Sequence, residues 1–212
     1  DTAEQPQAGD ETDAPTEETT GSDSEQGDSA AASSNILIAY FSVPETDGVD
    51  AVAGASRVVV DGEVLGNTQY IAQLIQQQTG GDLFRIETTD AYPDDYDAMT
   101  SQVRREQDEG YLPPIAAAVP DWDAYDAVYL GNPIWWGRLP HVMRSFLLQH
   151  DLAGKAVAPF CTSGGSGIDG ALADIRDLCP GANLLDGLTV ERSALPDALD
   201  QVAPWIEGLG LA

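Results

Sequence analysis

Positive charge is scarce in this chain. Nine Lys and Arg stand against 36 Asp and Glu in 212 residues, a formal net charge of -27. That charge repels nucleic acid and anionic membrane surfaces, so neither is expected as a partner. It suits a basic or cationic partner, and it serves solubility equally well. Cysteine is scarce too. Cys161 and Cys179 are the only two, and their spacing carries no metal signature. They read as two independent small core residues, with a disulfide as the alternative for an exported protein. The two histidines, His141 and His150, fall at the ends of an expected helix, where capping the dipole or solvent exposure is their ordinary role. No nucleophile–base constellation stands out. Apolar runs are short, and none is long enough to span a bilayer.

Residues 1–35 lack Lys, Arg, every aromatic and every large aliphatic residue, and hold 10 of the 36 acidic residues. The remainder has 26 acidic and 9 basic residues, a net of -17. A segment so poor in apolar surface cannot offset the entropy of ordering it, so a disordered acidic tail is expected over 1–35. It serves either as a solubilising tail or as a spacer that lifts the domain off a surface. The first residue is Asp1, as a trimmed signal peptide or lipoprotein leader would leave it. Recombinant trimming leaves the same mark. The expected setting is exported or tethered to a cell surface, with the cytoplasm as the alternative.

Residues 36–212 are expected to form one domain. Ile36-Leu-Ile-Ala-Tyr-Phe41 is a continuous apolar run, the pattern of a strand buried on both faces of a parallel sheet. Further strands are expected at 83–87, 127–130, 156–160 and 184–190, the third closed by Gly131. Helices are expected at 68–79, 141–149 and 169–178, and over a last segment that sets Leu199, Val202, Trp205, Ile206 and Leu209 on one side. Residues 92–110 have helical character with a thin apolar face. The strand–helix alternation predicts an α/β fold with a doubly wound, five-stranded parallel sheet, in the order 2-1-3-4-5. An Asp61-Gly62 pair between apolar residues predicts a small inserted β-hairpin within 43–65.

Ligands of such sheets sit beyond the carboxyl ends of the strands, where the winding reverses. Three loops there carry unusual residues. Ser42 follows the first strand, and Gly66-Asn67-Thr68-Gln69 opens the first helix. Free N–H groups, hydroxyls and an amide suit a phosphate without a cation, although simple N-capping explains Asn67 or Thr68 as well. Pro133-Ile134-Trp135-Trp136-Gly137 follows the third strand. Two adjacent tryptophans in a loop suit a flat aromatic ligand, a subunit interface or a core plug. Thr162-Ser163-Gly164-Gly165-Ser166 follows the fourth strand. It suits close backbone approach to a planar ligand, or a flexible turn.

Taken together, Ile38-Ala-Tyr-Phe-Ser42, Gly66-Asn-Thr68, Gly131-Asn-Pro-Ile-Trp-Trp-Gly137 and Pro159-Phe-Cys-Thr-Ser-Gly-Gly-Ser-Gly167 resemble the flavodoxin family. The closer likeness is to bacterial flavodoxin-like proteins with a split phosphate loop. The resemblance covers residues 36–210 and implies flavin mononucleotide (FMN) as cofactor. It implies that Ser42, Asn67 and Thr68 bind the FMN phosphate. Pro133, Ile134, Trp135, Trp136 and Gly137 would flank one side of the isoalloxazine. Thr162, Ser163, Gly164, Gly165 and Ser166 would hold its pyrimidine edge and ribityl chain. In short flavodoxins the Ser and the Gly-Asn-Thr lie within a few residues; here 43–65 intervene.

A flavin does the redox chemistry and the protein positions and tunes it. A stacked Trp and the acidic surroundings would disfavour added electron density on the ring, and a carbonyl near Gly137 would reach its N5 after a backbone flip. Electron transfer is the expected function, with a redox partner protein or a small-molecule electron acceptor. The alternatives are an FMN-dependent NAD(P)H:quinone-type reductase and a cofactor-free binding module on the same fold. No second Gly-x-Gly-x-x-Gly fingerprint is present, which mildly disfavours the reductase.

Overall fold

The sheet follows from strands that are apolar on both faces. In the structure, a computed structural model, residues 35–44, 56–93 and 95–211 are described; all lie within one compact unit, Ser33–Ala212. The expected tail, apart from Asn35, and residues 45–55 of the insertion lie outside the described residues. Strand β1 (Ile36–Tyr40) is buried throughout and is flanked by β4 (Asp82–Arg85) and β5 (Ala127–Pro133). Strand β6 (Ala156–Ser163) pairs with β5, and all these pairs are parallel. Its far edge carries β7 (Asn183–Leu184) and then β8 (Leu188–Glu191). Counted as positions across the sheet, the order is 2-1-3-4-5.

The fifth position is not one strand over 184–190 but two short ones. The cause lies across the ladder. Pro159 of β6 has no N–H to donate, and its carbonyl faces Gly187, so pairing lapses between Leu184 and Leu188. Gly131 does not end the third strand either, because β5 continues paired to β6 as far as Pro133↔Thr162. That glycine is a packing device. A β-carbon there would clash with the edge of the Phe160 ring, 2.1 Å from its Cζ.

Alternate strand residues face opposite sides of the sheet. Leu37, Ala39, Phe41, Val128, Leu130 and Val157 face helices α2 (Tyr96–Glu109), α3 (His141–Gln149) and α4 (Asp169–Leu178). Ile36, Ile38, Tyr40, Tyr129 and Phe160 face α1 (Asn67–Thr79) and α5 (Leu199–Leu209). Helix α1 buries Ile71, Leu74 and Ile75 and stops at Gly80 in the left-handed conformation. The last helix buries Val202 and Ile206, whereas Leu199, expected on its inner side, is exposed. No helix among the described residues is long and apolar enough to cross a membrane.

The hairpin forms as its Asp-Gly pair predicts. Strands β2 (Arg57–Val60) and β3 (Glu63–Gly66) are antiparallel. Asp61 and Gly62 both have positive φ, 52° and 83°, as a two-residue type I′ turn requires. Val58 and Leu65 are buried against the α1 side of the sheet. Strand β3 runs straight into α1 at Asn67.

Candidate functional site

The carboxyl ends of β1, β5, β6 and β8 meet at one edge of the sheet, and there a cleft of about 240 Å³ opens. Pro133, Ile134, Trp135 and Trp136 line it from the loop after β5, and Thr162, Ser163 and Gly164 from the end of β6. A smaller pocket of about 10 Å³, room for roughly one water, adjoins it and is lined by Ser42, Asn67, Thr68 and Thr162. All four are buried. The hydroxyls of Thr68 and Thr162 lie 2.8 Å apart and hydrogen-bond to each other. Asn67 and Thr68 are the first residues of α1, whose first turn contains no acidic residue, so the positive end of its dipole is unopposed there. The hairpin contributes as well: the Asn67 N–H donates to the Ser56 carbonyl at 2.9 Å. Gly66 leaves room for Ser42 Oγ, which a β-carbon there would force to move.

The two tryptophans have different surroundings. Trp135 sits edge-to-face on Phe41 and Tyr92, with ring centroids 5.3 and 5.4 Å away. It therefore plugs the top of the core and shows only part of itself to the cleft. Trp136 is 58% exposed. It stands at the tip of a two-residue turn, with Trp135 and Arg138 paired in both directions. Its φ is 52°, and Gly137 follows at 73°. A bulky aromatic in the left-handed region costs about 1–3 kcal/mol, so the fold holds this ring outward against its own preference. The Arg104 guanidinium covers one face at 4.8 Å.

That turn is anchored from behind. Asp174 on α4 is 1% exposed and accepts from Arg138 Nη2, from Arg144 Nη2 at 2.5 Å and from the Leu139 N–H at 3.2 Å. Gly137 does not line the cleft. Its carbonyl abuts Gly170, where a β-carbon would overlap the oxygen. Gly165 and Ser166 do not line the cleft either; both are exposed, and the Gly165 N–H bonds back to Ser163 Oγ.

Sequence reasoning missed one wall. Tyr96, Met99, Thr100 and Val103 of α2 line the cleft, as do Ser56 and Arg192. The thin apolar face within 92–110 was the available signal. Met99 and Val103 are two of the three buried residues of α2, and the third, Glu106, accepts from the Tyr92 hydroxyl at 2.7 Å. Arg192 follows β8 at the same sheet edge as the other loops, and its position after the fifth strand would have pointed to it.

Both cysteines are free thiols, in keeping with two independent core residues. Burial pushes the Cys161 thiol up to about 11, against a smaller opposite pull from its hydrogen bond to Thr189. Burial, and then the hydrogen bond to Glu106, raise the Tyr92 hydroxyl well above the tyrosine range. Unfolding releases both groups to ionise earlier. Stability is therefore intact below about pH 9 and falls by up to about 3 kcal/mol as pH approaches 11 from the thiol alone, with Tyr92 adding to the loss above pH 10. Denaturant midpoints at pH 8 and 10.5 should differ accordingly; equal midpoints would contradict the buried thiol.

The chain matches the family model for flavodoxin over residues 56–209. Among solved structures it is similar to a candidate flavoprotein of Bacteroides eggerthii, at 28% identity and TM-score 0.59, covering 79% of this chain and 97% of that one. A candidate flavoprotein of Bacteroides uniformis gives 26% identity and TM-score 0.63, covering 81% and 97%. A Lactobacillus acidophilus flavoprotein solved in complex with FMN shares the fold at 19% identity and TM-score 0.52, covering 78% and 97%. No curated protein matches. Motifs, sheet order and family model agree, and the chain belongs to the flavodoxin family.

Proposed function

We propose that this chain binds FMN at the cleft and serves as an electron-transfer protein. One observation carries the reading. Loops after β1, β5 and β6, far apart in sequence, converge at one sheet edge with buried hydroxyls at one end and a strained, exposed tryptophan at the other.

The residues fit the group. Ser42, Asn67, Thr68 and Thr162 supply neutral donors at a helix N-terminus, the donor chemistry a phosphate needs. The Thr68–Thr162 hydrogen bond closes their small pocket, and these hydroxyls would exchange it for bonds to the phosphate. The cleft between Trp136, Ile134 and the β6 loop would take the ring. Bound there, FMN supplies one- and two-electron redox chemistry. Trp136 provides an aromatic face, the β6 loop provides backbone donors, and the apolar face of α2 keeps water from one side. A redox protein or a small-molecule acceptor would exchange the electrons.

Titrating FMN against the purified chain tests this. Flavin fluorescence should be quenched with a Kd below about 1 µM, roughly -8 kcal/mol. Thr68→Val should weaken binding about tenfold, the cost of one hydrogen bond to a charged group. A colourless protein that leaves FMN fluorescence untouched sinks the reading. Turnover of NAD(P)H with a quinone would move the assignment from carrier to reductase.

A further inference from the structure

We propose that the cleft takes a second ligand, a small planar molecule bearing an anionic group, and that Arg192 and Arg104 recognise its charge. The inference rests on FMN binding at the cleft and names what reaches the flavin there.

The argument starts from scarcity. With nine cations against 36 carboxyls, four of the eight arginines and the one lysine are held by the fold. Arg138 and Arg144 bind Asp174. Arg85 donates to the Ser42 carbonyl and meets Glu87. Lys155 donates to the carbonyls of Trp122 and Tyr125. Arg57 is buried in the hairpin. Arg192 differs. It lines the cleft, and its side chain forms no ion pair or hydrogen bond among the described residues. Arg104 lies over Trp136, itself a cleft residue, and forms no ion pair among the described residues. Two cations with no carboxylate partner among the described residues thus come to the same cleft from different elements, α2 and the turn after β8.

Neither arginine is needed for the flavin phosphate. The pocket of Ser42, Asn67, Thr68 and Thr162 includes neither of them. A protein partner that complements a chain of -27 would be basic, and these two groups would repel it locally. A small anion meets a different field. Charges beyond about 8 Å are screened at physiological salt, so a small anion in the cleft responds to the groups beside it, these two guanidinium groups among them, rather than to the net charge of the chain. The flavin adds the shape requirement, since the face it turns away from Trp136 is what a second ligand would meet, and that face suits a flat ring.

The test uses FMN-loaded protein and two probes of one shape, naphthalene-2-sulfonate and its neutral sulfonamide, with binding followed by calorimetry. At low salt the sulfonate should bind about tenfold more tightly, and 0.5 M salt should shrink that preference. In the Arg104→Gln/Arg192→Gln double variant the ratio should fall to about one, while Arg176→Gln, on the outer side of α4, should keep it. Equal affinities in the wild type, or a ratio that survives the double substitution, overturn this inference alone. Failure of the wild type to take up FMN overturns the functional reading, and this inference with it.

Discussion

Asp174→Ala should cost this domain about 3 kcal/mol. Breaking a buried ion pair by removing one partner costs about 3–5 kcal/mol, because the other charge is left uncompensated. The lower end applies here, since Arg138 is 56% exposed and water screens its share. Removing the carboxylate would also strand the Leu139 N–H, which it accepts at 3.2 Å. For a domain of this size each kcal/mol lowers Tm by about 2–4 °C, so thermal unfolding should show a drop of about 10 °C. Asp174→Asn keeps the shape and an acceptor oxygen, and should lose less. The same network fixes the end of the tryptophan turn, so FMN affinity should fall in both variants, more in the alanine. A Tm within 2 °C of the wild type would show that the three donors are satisfied by water instead.

Gly170→Ala is the second large effect, and it acts on the site more than on stability. The added β-carbon would lie 2.0 Å from the Gly137 carbonyl oxygen, far inside contact distance. A side chain could rotate away, but a backbone carbonyl moves only with its turn. That turn holds Trp136 at φ 52° and Gly137 at 73°, a two-residue geometry with little slack. Trp136 is therefore displaced, and FMN affinity should fall at least about tenfold, with about 1–3 kcal/mol lost to overpacking. Gly164→Ala is the matched control for stability, because nothing lies within 4 Å of its would-be β-carbon. Its unfolding midpoint should stay within about 0.5 kcal/mol of the wild type. Equal FMN affinity in Gly170→Ala and wild type would mean that the ring's placement does not depend on the turn.

The central sheet was legible because fully buried parallel strands are written as unbroken apolar runs, such as residues 36–41. The hairpin was legible because Asp61-Gly62 supplies the positive φ pair that few other residues tolerate. The ends of strands were not. Gly131 looks like a terminator in one dimension and is a close contact with Phe160 in three. The split of the fifth strand is set by Pro159 on its neighbour, which no local pattern in 184–190 records. The site was legible as three loops at one sheet edge. The unlike surroundings of Trp135 and Trp136 were not, since they depend on Phe41 and Tyr92 reaching the same place. Arg192 and the α2 wall escaped because their contribution comes from where the chain returns, which a single stretch of sequence does not state.

The junction of β3 and α1 has a mechanical consequence. There is no loop between Gly66 and Asn67 to absorb strain, and the Asn67 N–H is tied to the Ser56 carbonyl across the hairpin. Hairpin and helix are therefore joined without slack beside Ser42. A contact made on the ribbon, whose Val64 stands half out of the surface, has only this junction between it and the first turn of α1.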